Sequence, residues 1–263
     1  MGASEPMLGR IESRRLIAVV ASLWWGATAA LITARLADSA WADPPEEWTD
    51  LSGGRSFALW ADDRRGWSIA GEAKLDPEQG KRLTPVEGEG VFFCPGGGAN
   101  LVTRERYRDV ELWLEFMIAE RSNSGVKLNG LYEIQIIDSH AATELRGDHC
   151  GGIYPRGEAL PRYHTIDAGT PPRSNAAKPA GVWQTLEIDF RSPRFDAAGE
   201  KVKNALFEHV ALNGKVIHKR VEQATPTGGA WRLEKEVARG PLLLQGDHGP
   251  VAFRRVKIRP LTP

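Results

Sequence analysis

The sequence predicts an all-β protein, a sandwich or barrel of antiparallel strands, on three observations. Apolar residues recur with a period of two in short segments. No long stretch carries the 3.6-residue period of a helix, and Gly, Pro, Asn and Asp break the segments at close intervals. Val110–Ile118 is the clearest segment: Val110, Leu112, Leu114, Phe116 and Ile118 point one way, and Glu111, Trp113, Glu115 and Met117 the other. Leu131–Asp138 is the second, with Tyr132, Ile134 and Ile136 on one face and Glu133, Gln135 and Ile137 on the opposite one. Trp183–Phe190 is the third. Leu206–Leu212 and Lys215–Val221 flank Asn213-Gly214, a pair that supplies the positive φ angles of a tight hairpin. Val251–Arg259 closes the chain. Many strands at such spacing, without helices between them, are the pattern of a sandwich or barrel. Leu112, Leu114, Phe116, Ile134 and Ile136 are the expected core.

A chain of 263 residues accommodates one large β-domain or two small ones. Its 34 basic and 34 acidic residues balance, and no basic stripe could neutralise a run of phosphates, so nucleic acid is not an expected partner. Nine tryptophans suit both a core and sugar-stacking surfaces. At the N-terminus, Arg14 and Arg15 precede an apolar run from Leu16 to Ile32, and Ala40-Trp41-Ala42 has the small-x-small pattern of a signal-peptidase site. Residues 1–42 are therefore read as a signal peptide, of the ordinary or the twin-arginine type, with export to the periplasm or cell envelope. An uncleaved anchor is the alternative, and this segment is the only expected membrane contact. Residues 43–54 read as a linker and 55–263 as the folded domain. Cys94 and Cys150 are the only cysteines; an oxidising compartment would allow one disulfide, and their spacing does not decide it.

Chemistry is expected where polar side chains share a face. Glu111, Trp113 and Glu115 form either a solvated strand face or part of a site, and Glu133 with Gln135 repeats the pattern on another strand. Two carboxylates across a sheet can serve as acid and base, or as metal ligands. Asn123-Ser124-Gly125 reads as a turn with polar side chains at a rim. Gln245-Gly246-Asp247-His248-Gly249 gathers polar groups in a glycine-flanked bend, where a histidine beside an aspartate can be a base, a metal ligand or a turn stabiliser. Asp148-His149 has the same ambiguity, inside a long loop from Asp138 to Val182.

Six segments occur in order: Ser122-Asn-Ser-Gly-Val126, Tyr132-Glu-Ile-Gln-Ile-Ile-Asp138, Gly151-Gly-Ile-Tyr154, Lys178-Pro-Ala-Gly-Val-Trp183, Leu212-Asn-Gly214 and Leu244-Gln-Gly-Asp-His-Gly249. Together they resemble the bacterial 3-keto-disaccharide hydrolase domain family over roughly residues 55–260. Phe253-Arg254-Arg255 stands where family members often have Phe-Arg-Asn. The resemblance implies a concanavalin A-like (laminin-G-like) two-sheet antiparallel jelly-roll sandwich with its site on the concave face. It also implies cleavage of 3-keto glycosides by hydrolysis or elimination, with a sugar 3-dehydrogenase upstream to make the keto sugar. A divalent metal is one way to stabilise the enolate such chemistry forms; no cofactor is otherwise implied. On this reading Glu133 or His248 is the base, with Trp113, Glu115, Asn123, Gln135, Gln245 and Asp247 around the carbohydrate. Trp113 would be a sugar platform, and Asp247 would orient His248 or form the turn. A non-catalytic carbohydrate-binding sandwich is the alternative, since the same fold serves lectins.

Overall fold

The computed structural model describes residues 47–53 and 56–262. The segment read as a signal peptide and the first residues of the expected linker lie outside them. In chain order the strands are β1 (Thr49–Asp50), β2 (Ser68–Leu75), β3 (Leu83–Cys94), β4 (Leu101–Val102), β5 (Val110–Ile118), β6 (Asn123–Leu128), β7 (Tyr132–Ile137), β8 (Gly157–Glu158), β9 (His164–Thr165), β10 (Gln184–Arg191), β11 (Arg194–Phe195), β12 (Lys201–Lys203), β13 (Ala205–Leu212), β14 (Lys215–Gln223), β15 (Leu243–Leu244) and β16 (Val251–Pro260). A single helical turn, α1 (Ala230–Leu233), precedes β15.

Two sheets carry the architecture. The larger runs β14-β13-β10-β5-β16-β3-β2, with β1 added along β16, and the smaller runs β4-β15-β6-β7. Every named strand pairing is antiparallel. Alternation decides which side chains meet between the sheets. Leu112, Leu114 and Phe116 of β5 and Tyr132, Ile134 and Ile136 of β7 are all at most 1% exposed and belong to one apolar cluster. The structure is thus an all-β, two-sheet antiparallel sandwich with the expected core. The hairpin at Asn213-Gly214 has φ of 53° and 76° at its two central residues, as its sequence requires.

β5 is also buried on its other face near its end. Met117 packs there with Phe93 and Ala252 in a second apolar cluster, with Trp183 against it. Beside this cluster Arg254 lies 4.0 Å over the Trp183 ring, and its guanidinium holds Glu115. Arg255 reaches the other Glu115 oxygen at 3.2 Å from within a bulge of β16, where its φ is 50°. Left-handed backbone suits Asn better than Arg, so the ion pair with Glu115 accompanies a backbone conformation that arginine does not favour.

Two expectations give way here, and the pairing of the cysteines, which the sequence left open, is answered. The linker is not free of the fold: β1 pairs with Ile258 and Lys257, and Leu51 is buried. Asn123-Ser124-Gly125 is not a turn but the start of β6, because its backbone pairs residue by residue with Ile137, Ile136 and Gln135. The turn lies just before it, where Arg121 has φ 55°. Cys94 and Cys150 are both free and buried, so the structure contains no bridge between them.

Candidate active site

The outer face of the smaller sheet is built in rows, because residues opposite one another across an antiparallel pair share a face. In the first row Lys127 of β6 stands between Glu133 of β7 and Leu243 of β15. Beyond β7 the segment at Ile153 adds to the sheet opposite Ile134, and the Tyr154 N–H donates to the Glu133 carbonyl, which places Tyr154 next in that row. In the second row Gln135 is opposite Gly125, and the Gln245 N–H donates to the Gly125 carbonyl. The third row starts at Asn123, whose carbonyl accepts from the Gly249 N–H. Lys127 and His248 therefore sit toward opposite ends of β6, with Gly125 between them.

Gly125 makes the floor of this arrangement. A Cβ there would stand 2.5 Å from Glu133 Oε1 and 2.9 Å from Gln245 Oε1, so both side chains lean over a backbone that only glycine leaves open. Its φ is not in the left-handed region, so alanine is compatible with the strand itself. Gly125→Ala is expected to displace the Glu133 carboxyl and lower kcat/KM at least tenfold, with a melting temperature within a few degrees of wild type. Turnover assays paired with thermal melts check this, and an active alanine variant would remove the steric role given to Gly125.

Glu133 is 4% exposed, and its oxygen lies 3.2 Å from Lys127 Nζ. Burial pushes its carboxyl above the usual glutamate range, and Lys127 and then His248 oppose the rise. The backbone N–H of Glu133 is anchored by Thr227 Oγ1 at 3.0 Å, and the same hydroxyl donates to the Leu131 carbonyl. His248 is half-exposed and bonds through Nδ1 to Asp247 at 2.7 Å. The Asp247 carboxyl is held below its ordinary range, first by this bond. An ionised Asp247 only accepts, so Nδ1 carries the hydrogen and Nε2 is turned away from the aspartate. The same contact raises the His248 imidazole above its ordinary value, against the effect of burial. Asn100 braces the bend by accepting from the Gly246 N–H at 3.0 Å.

Of the expected site residues, Glu133, Gln135, Asn123, Gln245, Asp247 and His248 come together here. The Asn123 Oδ1 is buried with no protein donor. Trp113 and Glu115 do not join them. Both lie on the outer face of the larger sheet, where Trp113 is opposite Lys257 and Glu187, and Glu115 is opposite Arg254 and Thr185. The core separates that face from Glu133, so Glu115 is a structural ion-pair residue and Trp113 is not a platform for this site. Lys127 and Tyr154 were missed by sequence reasoning. The signal for Lys127 was its place two residues after Gly125, on the same face of a strand that had been read as a turn. Tyr163 lies nearby: its phenol is pushed up, first by burial, then by the neighbouring Tyr154 and by the charge of Glu133.

The donor set does not make a metal centre. Among the described residues no three His, Cys, Asp or Glu side chains converge as ligands, and Asp247 is committed to His248 and Asn100. A groove of about 780 Å³ lies elsewhere, at the edge of the larger sheet among Arg191, Arg194, Lys203 and Arg220. There Arg191 and Arg220 are paired with Glu208, and Arg194 with Asp109.

Residues 47–259 match the 3-keto-alpha-glucoside-1,2-lyase-like domain. No curated protein matches the chain in sequence. Crystal structures of proteins from Parabacteroides distasonis, provisionally classed as glycosyl hydrolases, share the jelly-roll sandwich. One aligns with a TM-score of 0.58 at 21% identity, over 82% of this chain and 84% of its own. A second aligns at 0.53 and 21% identity, over 82% of this chain and the whole of its own.

Proposed function

The chain belongs to the 3-keto-alpha-glucoside-1,2-lyase-like domain family, and from that premise we propose that it cleaves 3-keto glycosides by elimination across C1 and C2. Net hydrolysis results when water later adds to the unsaturated product. The observation that carries the reading is a buried carboxyl leaning over Gly125, with a lysine on one side and a histidine–aspartate pair on the other.

The chemistry follows the axis of β6. A ketone at C3 acidifies the C2 proton, which Glu133 removes; its raised pKa makes it a stronger base than an exposed glutamate. The C2–H electron pair becomes the enolate, and the charge gathering on the C3 oxygen faces the His248 imidazolium, which Asp247 keeps protonated to higher pH. The enolate then expels the C1 substituent, and Lys127 donates the proton that the leaving oxygen requires. Electrons and protons balance without any redox change. Asn123 and Gln245 hold the sugar hydroxyls. A carbohydrate-binding module would require the amides and aromatics but not this coupled carboxyl and imidazole.

Two groups with raised pKa values predict the pH dependence. Activity should be lost as pH falls through the Glu133 value, above the usual glutamate range, because the base is then protonated. It should also be lost as pH rises through the His248 value, above the ordinary histidine range, because the imidazolium is then neutral. The test is incubation of the protein with a panel of 3-keto glucosides between about pH 4 and 10, with products followed by mass spectrometry. Absence of the unsaturated or hydrated keto sugar from every substrate would refute the assignment; a rate that keeps rising through pH 10 would refute the role of His248.

The keto substrate has to come from oxidation of a glycoside at C3, so a sugar 3-dehydrogenase is the reaction that would supply it. We propose from the basic start, the apolar run and Ala40-Trp41-Ala42 that the chain is exported and that its own reaction takes place outside the cytoplasm. N-terminal sequencing of the envelope-associated protein is expected to begin at Asp43, and full-length protein retained in the cytosol would overturn export.

A further inference from the structure

We propose that the cavity adjoining Lys127 is an aglycone subsite for an apolar, aryl-sized substituent. This rests on the glycoside-cleaving reading and deepens it by naming the substrate class. The cavity measures about 500 Å³, within the range of ligand sites, and Lys127 is one of its walls. The same ammonium lies 3.2 Å from Glu133, so one side chain links the cavity wall to the buried carboxyl. It lies on the far side of the first row from His248, past the end of β6 at Leu128. A sugar over Gly125 with C3 toward His248 and C1 toward Lys127 therefore directs its C1 substituent into this space.

Leu131, Leu233, Val237, Pro241 and Leu243 give it an apolar wall, with Asn129 and charged side chains among the other residues that line it. Leu243 follows Lys127 in the first row, and Leu233, at the end of α1, is 77% exposed. A second sugar ring needs hydrogen-bond partners for its hydroxyls, whereas a phenyl ring gains from covering these leucines. The rim carries Arg106 and Lys235 against Glu234, an excess of positive charge that favours an electron-rich phenolic leaving group.

Binding tests the subsite apart from turnover. A C3 hydroxyl does not acidify C2, so phenyl and methyl glucosides of either anomer bind without being cleaved. Calorimetry should show the better phenyl glucoside bound at least about tenfold more tightly than the matching methyl glucoside. Leu233→Glu should bring that ratio close to one, and a charge at so exposed a position leaves folding intact. Equal affinities in the wild type, no binding of either glucoside, or a ratio that Leu233→Glu leaves unchanged would overturn the subsite. Cleavage of 3-keto methyl glucoside without a phenyl advantage in binding would remove the subsite and leave the chemistry standing. A phenyl advantage without cleavage of any 3-keto glycoside would do the reverse.

Discussion

Glu133→Gln is expected to lower kcat/KM on a 3-keto glycoside by about two to four orders of magnitude, the range for loss of a general base. The variant should fold at least as well as the wild type. Burial raises the Glu133 carboxyl, so the folded protein holds its proton more tightly than the unfolded chain does. The stability associated with that proton is fully present below the unfolded glutamate value and is lost as pH rises through the folded one. At pH 8 glutamine replaces a buried group whose ionisation opposes folding, and it can still accept from Lys127. The melting temperature of Glu133→Gln should equal or exceed that of the wild type at pH 8, and the difference should shrink toward pH 4. Catalytic sites commonly hold such groups at the expense of stability. An inactive variant that melts far below the wild type at pH 8 would mean that Glu133 is a structural residue. A fully active one would mean that the base is another group.

Leu114→Ala is expected to destabilise the fold by about 2–5 kcal/mol, the range for emptying a fully buried leucine site. Leu114 is 0% exposed at the centre of β5, opposite Leu186 of β10, in the cluster that joins the two sheets. For a domain of this size each kcal/mol lowers the melting temperature by about 2–4 °C. The expected fall is therefore roughly 4–20 °C, measured by calorimetry or circular dichroism. Leu160→Ala is the control, because Leu160 is 80% exposed and its removal empties no core. A Leu114→Ala protein that melts with the wild type would contradict the central place given to β5.

Most strands were legible because burial on one face forces alternation. Val110–Ile118 has the same limits in sequence and structure, and Tyr132–Ile137 and Val251–Pro260 differ from their expected limits by a residue or so. The hairpin β2–β3 was not read. Its first strand, Ser68-Ile-Ala-Gly-Glu-Ala, is short of large apolar residues, and β3 runs largely exposed before its buried end at Val91–Cys94. The turn expected at Asn123-Ser124-Gly125 failed because residues typical of turns were chosen here for another reason. Gly125 makes room for two side chains above a strand, and Ser124 faces inward to donate to the Gln245 carbonyl at 2.8 Å.

The sequence by itself determined which side chains of each strand face the core, since a period of two is a local property of the pleated chain. It therefore separated Leu114 from Glu115 and Ile134 from Glu133. It could not say that these two glutamates belong to opposite outer faces, because that depends on strand partners far apart in the chain. β5 pairs with β10 and β16, and β7 pairs with β6, so the core lies between Glu115 and Glu133. Only that long-range pairing made one glutamate a partner of Arg254 and Arg255. The other it set beside Lys127 and within electrostatic reach of His248, where burial and neighbouring charge give a carboxyl its chemistry.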